Sequence, residues 1–144
     1  MEFWLTRLEA LYNDYIDFVQ ELERNRKPGE GLFGMRSGPK DDPCHERFAA
    51  DVKKLLEDFR NTSPGSGDCA ALLRYMFTVP EAWQELTCAY WTLIAVQGFG
   101  LDLIGYLNPA DAKALAEFFS AAYPRHIRLP VQEKLLKRLK QQAN

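Results

Sequence analysis

Histidine is scarce in this sequence, with only His45 and His126 among 144 residues. Neither stands in a His-Glu-x-x-His or Glu-x-x-His pattern, the spacings that bring metal ligands to one face of a helix. The three cysteines, Cys44, Cys69 and Cys88, contain no Cys-x-x-Cys pair, so a structural zinc site is not expected either. The sequence therefore predicts no metal and no cofactor.

The cysteine count is also low and odd, so the thiols cannot all pair within one chain. The first residues lack the basic start and the apolar run of a secretory signal, because Arg7 and Glu9 follow quickly. Reduced thiols in the cytosol are the simplest interpretation of this pattern. We therefore expect a cytoplasmic protein.

Long uninterrupted apolar runs are missing as well. The longest, residues 89–107, is broken by three glycines, by Gln97 and by Asp102. A membrane-spanning helix needs about 20 predominantly apolar residues, and a carboxylate inside such a helix is costly. We interpret this run as protein core and expect no membrane span.

Alternation of apolar and polar residues, the pattern of a half-buried strand, is not sustained anywhere, whereas apolar residues recur at helical spacing. Hydrophobic residues make up 47% of the chain, which is enough for one ordinary core. We predict a single all-α domain over residues 1–144, an irregular bundle of five or six helices around a central apolar helix at about 79–97. The other predicted helices cover 3–26, 42 to about 60, 68–77, 108–123 and about 131–142, with a short helical segment within 101–107.

Several helix starts carry capping residues. Asn108 followed by Pro109 provides an N-cap and a first-turn proline, and Asp42 with Pro43 repeats this chemistry. The pattern from Thr78 to Glu81 matches a capping box.

The stretch from residue 28 to 43 contains four glycines and three prolines, so it cannot be a regular helix or a central strand. Loops of this length inside a compact domain are either binding loops or linkers. Its glycine spacing resembles the letters of a dinucleotide fingerprint, but that motif follows a strand, whereas this loop follows a helix. We therefore do not expect nucleotide binding.

This loop supports our leading functional hypothesis, a non-enzymatic module that binds another protein or a second copy of itself. Apolar loop residues must either pack into the domain or face a partner. The candidate contact residues are Leu32, Phe33, Met35 and Arg36.

The alternative hypothesis, from a different class, is a ligand-binding or enzymatic helical domain with a pocket beneath the same loop. Its candidate residues are His45, Tyr90, Trp91, Gln97 and Asp102. Cys44 and His45 are adjacent on a predicted helix, so they do not face each other as a nucleophile and base would. The simpler interpretation is that His45 is half-buried and that Asp102 caps a helix or faces water. Enzymatic activity is thus left open but is not favoured.

Positive charge is concentrated at the C-terminal end. Residues 125–144 hold six basic and one acidic residue, a balance of +5, whereas residues 1–124 hold 12 basic and 19 acidic residues, a balance of −7. A third hypothesis is therefore a weak nucleic-acid or anionic-surface binder, although the acidic remainder would repel phosphate. The simpler interpretation is a solvated helix face. The basic residues are Arg125, Arg128, Lys134, Lys137, Arg138 and Lys140.

Overall fold

The computed structural model describes residues 2–24, 44–79 and 87–144, and within these ranges it is all-α, without strands, as predicted. Six of its helices have at least eleven residues, and a seventh has four. In chain order they are α1 (Glu2–Arg24), α2 (His45–Arg60), α3 (Ser66–Phe77), α4 (Thr87–Gln97), α5 (Leu101–Ile104), α6 (Pro109–Ala122) and α7 (Pro130–Ala143). Short 3-10 turns cover Gly98–Gly100 and Arg125–Ile127.

Helix α4 is the most apolar element of the core. It packs against α2, α3 and α7, and Leu93, Ile94 and Val96 are buried there. Among its residues 89–97, the exposed positions are Trp91 and Ala95. The predicted central helix is therefore present over residues 87–97, while residues 80–86 of the predicted range lie outside the described residues.

Aromatic rings join α1 to its neighbours. The ring of Tyr15 stacks on Phe48 of α2 at 4.3 Å between centroids. The ring of Tyr12 meets Phe48 edge-on at 5.2 Å and Tyr75 of α3 at 5.1 Å. Offset and edge-to-face contacts of this kind add to the area that the rings bury, so they fix α1 against both α2 and α3.

Two helix starts differ from the predictions. Helix α2 begins at His45, and Cys44 occupies the N-cap instead of the first turn. Helix α3 begins at Ser66, two residues earlier than predicted. The Ser66 hydroxyl donates to the carboxylate of Asp111 at 2.5 Å and accepts from the backbone N–H of Asn108 at 2.8 Å. These contacts with the start of α6 hold Ser66 in place, and the local sequence does not reveal them.

Other boundaries agree with the predictions. The side chain of Asn108 accepts from the backbone N–H of Asp111 at 2.7 Å and caps α6, and Pro130 opens α7. The hydroxyl of Thr78 donates to the carbonyl of Arg74 at 2.8 Å, so in the structure it closes α3. The capping box predicted between Thr78 and Glu81 extends beyond the described residues.

The glycines between α4 and α5 allow close packing. A Cβ atom at Gly100 would lie 2.6 Å from Cδ2 of Leu73, and one at Gly98 would lie 3.0 Å from Cγ2 of Val131. The glycines at the predicted helix break thus also leave room for side chains from α3 and α7. Among the helices in the described ranges, none combines the length and the apolar character that a bilayer crossing requires.

Candidate functional site

Five of the six predicted basic residues line one shallow surface groove of about 740 Å³, which we call the basic groove. The five are Arg125, Arg128, Lys134, Lys137 and Lys140. The other lining residues are Glu133, Leu136, Gln141 and Asn144. Five positive charges and one negative charge give the groove a balance of +4.

Helix α7 places the three lysines in a row. Lys134, Lys137 and Lys140 recur every three residues, so they stay on the same side of the helix over about 9 Å. Leu135 and Leu139, on the opposite side, are buried in the core. The apolar stripe of α7 therefore determines which way its lysines face.

The two arginines of the basic groove come from the turn before α7. Arg128 is largely buried and pairs with Glu133, at 2.9 Å between Nε and Oε1. No ion pair to any residue in the described ranges is formed by Arg125 or by the three lysines of the groove. Four cations of the groove are therefore available to an external partner.

The sixth predicted basic residue, Arg138, lies outside the groove. Its guanidinium donates to Oε1 of Gln142 at 2.9 Å, and Nε2 of Gln142 donates to the carbonyl of Leu107 at 2.7 Å. Arg138 thereby belongs to the contact between α7 and the turn that precedes α6. It follows Lys137 by one residue, which turns its side chain by about 100° around the helix.

The pocket candidate Gln97 is part of a buried hydrogen-bond network. Its Nε2 atom donates to the carbonyl of Met76 at 3.1 Å and to the hydroxyl of Tyr123 at 2.9 Å. Its Oε1 atom accepts from Nε2 of Gln132 at 3.3 Å. With both its donors and its acceptor engaged inside the protein, the amide of Gln97 has a structural role.

His45 and Asp102 lie at opposite ends of α2. Nδ1 of His45 is 3.2 Å from the hydroxyl of Thr92. Asp102 lies near the other end, where Oδ2 is 3.6 Å from Nη1 of Arg60, and its side chain is 66% exposed. His45 and Arg60 are 15 residues apart on α2, or about 22 Å. One pocket shared by His45 and Asp102 does not fit this geometry, and the water-facing interpretation of Asp102 does.

The remaining pocket candidates, Tyr90 and Trp91, stack on each other with 5.8 Å between ring centroids. Tyr90 is half-buried and Trp91 is exposed. In the part of the chain that the structure describes, no group of three or more His, Cys, Asp or Glu side chains is arranged to hold a metal ion. The loop candidates Leu32, Phe33, Met35 and Arg36 lie outside the described residues.

A second cavity, which sequence reasoning missed, lies between α1 and α2. Its volume is about 300 Å³. Phe18 lies within the predicted helix 3–26 at the spacing of its apolar residues, but it is 38% exposed and lines this cavity. The sequence does contain a signal that Phe18 is exposed, because acidic residues stand around it at helical spacing. The lining residues are Leu11, Asp14, Tyr15, Phe18, Cys44, Arg47, Phe48 and Asp51.

Comparison with known proteins gives no relative: no protein-family model, no curated protein and no solved structure matches this chain.

Proposed function

We propose that this protein is a non-enzymatic interaction module that binds an acidic partner protein through the basic groove. The observation that supports the proposal is the convergence of five cationic side chains on one groove, four of them without an ion pair in the described residues. Such a surface attracts an acidic partner over a distance and orients it during encounter.

The energies involved fit a reversible contact. An exposed ion pair contributes roughly 0.2–1 kcal/mol, so four of them together support weak to moderate affinity. Arg128 is less mobile than the lysines, because its side chain is only 11% exposed and forms an ion pair with Glu133. The lysines are long and flexible, which suits contacts that form and break easily.

An acidic protein suits the groove better than a nucleic acid does. The chain has a net charge of −2 and a pI near 5.7, whereas nucleic-acid-binding domains are usually strongly basic. Glu133 also lies within the groove and would face a phosphate backbone. The carboxylates of a protein partner are more widely spaced and can avoid it.

The pocket hypothesis receives less support, because Gln97 and Asp102 are engaged in separate places, in the buried network and with Arg60. The contact through residues 28–43 stays a prediction. It is tested by Phe33→Ser and Met35→Ser, which would weaken partner capture if the loop contributes to it.

The proposal is tested by fluorescence anisotropy with a fluorescein-labelled polyglutamate peptide, titrated with the full chain at low and high salt. We expect binding that weakens with salt and that falls on the order of tenfold in Lys134→Glu/Lys137→Glu, since each reversed pair changes attraction into repulsion. The matched control is Lys53→Glu/Lys54→Glu on α2, where two exposed lysines are reversed away from the groove. The control should bind as the wild type does.

Two results would contradict the proposal. One is an equal loss of peptide binding in the groove variant and in the α2 control, which would show that net charge alone accounts for the loss. The other is a clear preference for a labelled DNA duplex over the peptide at the same salt concentration, which would favour the nucleic-acid hypothesis.

A further inference from the structure

Helix α1 exposes a row of carboxylates, which we call the acidic face. Asp14, Asp17 and Glu21 are exposed and recur at intervals of three and four residues, so they share one side of the helix. None of them forms an ion pair with a residue that the structure describes. Residues 2–24 as a whole hold six acidic and two basic residues, a balance of −4.

An exposed apolar side chain borders the acidic face. Phe18 follows Asp17 directly and is 38% exposed. It borders the 300 Å³ cavity between α1 and α2, where Asp51 of α2 adds a further carboxylate. An exposed aromatic ring beside charged groups is a common arrangement in protein interfaces, where an aromatic anchor is bordered by polar residues.

The basic groove has the complementary composition. Ile127 is 51% exposed and stands between Arg125 and Arg128 in the sequence, at the end of the 3-10 turn that precedes α7. The lengths also agree, because Asp14 to Glu21 spans about 10 Å and Lys134 to Lys140 about 9 Å at the rise of an α-helix. The two surfaces are thus rows of charge of similar length and opposite sign, and an exposed apolar residue, Phe18 or Ile127, adjoins each in the sequence.

We propose that the partner of the basic groove is the acidic face of a second copy of this chain. The proposal rests on the function proposed above and names the partner. The two surfaces belong to different parts of the bundle, because α1 packs against α2 and α3 whereas α7 packs against α4, α5 and α6. A contact between unlike surfaces is heterologous, so each copy offers one free surface of each sign to the next.

This arrangement has distinct physical consequences. Association runs head to tail and produces either a closed ring or an open chain of copies. It strengthens with protein concentration, and it weakens with salt because the Debye length falls from about 10 Å at 0.1 M to about 3 Å at 1 M.

The experiment is sedimentation velocity on the full chain over a concentration series, at low and at high salt. We expect wild-type protein to form larger species at low salt and to dissociate at high salt. The groove variant Lys134→Glu/Lys137→Glu and the acidic-face variant Asp14→Lys/Asp17→Lys should each stay monomeric. All four positions are exposed, and circular dichroism checks that both variants are folded.

The decisive sample is an equimolar mixture of the two variants. The mixture contains one intact groove and one intact acidic face, and its two reversed surfaces are also of opposite sign, so association should return. Failure of the mixture to associate, although the wild type does, would overturn the proposal. So would a wild-type protein that is monomeric at low salt and high concentration.

The apolar part of the contact has its own test within α1. Phe18→Ser should weaken association on the order of tenfold, by removing the buried ring, whereas Phe3→Ser, at the more exposed ring near the start of the helix, should leave it unchanged. Equal effects of the two substitutions would contradict the proposed contact.

Failure of this inference is distinguishable from failure of the proposed function. A monomeric wild type that still binds polyglutamate through the groove removes the second copy as partner and keeps the acidic-partner function. A wild type that neither associates nor binds the peptide removes both.

Discussion

The amide nitrogen of Gln97 donates a hydrogen bond to the hydroxyl of Tyr123 at 2.9 Å, and that hydroxyl in turn donates to the carbonyl of Phe77 at 2.8 Å. The same nitrogen donates to the carbonyl of Met76, so the last turn of α3 is bonded by residues from two other parts of the chain. Gln132 of α7 completes the network through Oε1 of Gln97. These bonds specify how α3, α4, the end of α6 and α7 fit together, because a slipped arrangement would leave buried polar groups without partners.

Gln97→Met is therefore expected to destabilise the fold although it keeps the side-chain volume similar. The substitution leaves the carbonyl of Met76 and an N–H of Gln132 without their present partners, and a buried polar group left unsatisfied costs about 1–3 kcal/mol. We expect a decrease of about 2–4 kcal/mol in the free energy of unfolding, measured by urea denaturation followed by circular dichroism.

The matched control is Gln141→Met, the same substitution at an exposed position of α7. It should change the stability by less than about 0.5 kcal/mol. Equal stabilities of the Gln97 variant and the wild type would show that the network contributes nothing net to folding.

Gly100→Ala should also destabilise the protein, for a steric reason. The new Cβ atom would lie 2.6 Å from Cδ2 of Leu73, and both residues are buried in the core. Leu73 must leave its rotamer or α5 must shift, and overpacking of this kind typically costs about 1–3 kcal/mol. The measurement is the midpoint of thermal unfolding together with the urea-derived free energy.

The control for Gly100 is Gly67→Ala within the first turn of α3. Nothing lies within 4 Å of a Cβ atom at Gly67, and alanine lowers the entropy of the unfolded chain, so this variant should be more stable by about 0.4–1 kcal/mol. The same substitution is thus expected to act in opposite directions at the two sites. A gain in stability at Gly100 would contradict the close approach of Leu73.

The parts of the fold that were predictable from sequence are those determined by neighbouring residues. Asn108 and Pro109 start α6 as their local chemistry indicates, and the glycines after Gln97 end α4 where they were expected to. Gln97 itself was misleading, because an amide inside an apolar run suggests a pocket as readily as a structural bond. Its partners are 21 to 35 residues away in sequence, and no local pattern reveals them.

The candidate site was predictable to a similar extent. Charge alone identifies the basic residues of the C-terminal region. It does not show which of them line the groove, because Arg138 turns towards Gln142 while Lys134 and Lys137 face the groove. Helical spacing separates Arg138 from Lys137, whereas the position of Arg125 depends on a 3-10 turn that charge patterning does not identify. Exposure of Phe18 depends on how α2 packs beside α1, which is a tertiary property.

Cys69 gives a prediction about alkaline pH. The thiol is fully buried, and burial, with a smaller contribution from Asp68, raises its pKa from 9.0 to about 11. The unfolded chain therefore loses this proton at lower pH than the folded chain does, so the unfolded state binds fewer protons between pH 9 and 11. Stability that is fully present below pH 9 is lost as pH rises through 11, by at most about 2–3 kcal/mol for this group.

The measurement is the free energy of unfolding, obtained by urea denaturation at several pH values between 8 and 11 under reducing conditions. Tyr75, whose pKa burial raises to about 12, and Tyr12, whose pKa burial also raises, contribute a further decline above pH 10. Cys69→Ala isolates the thiol, because the slope between pH 9 and 10 should become shallower in this variant whatever its stability at neutral pH. Identical slopes for the variant and the wild type would mean that the folded protein does not hold the Cys69 proton more tightly than the unfolded chain does.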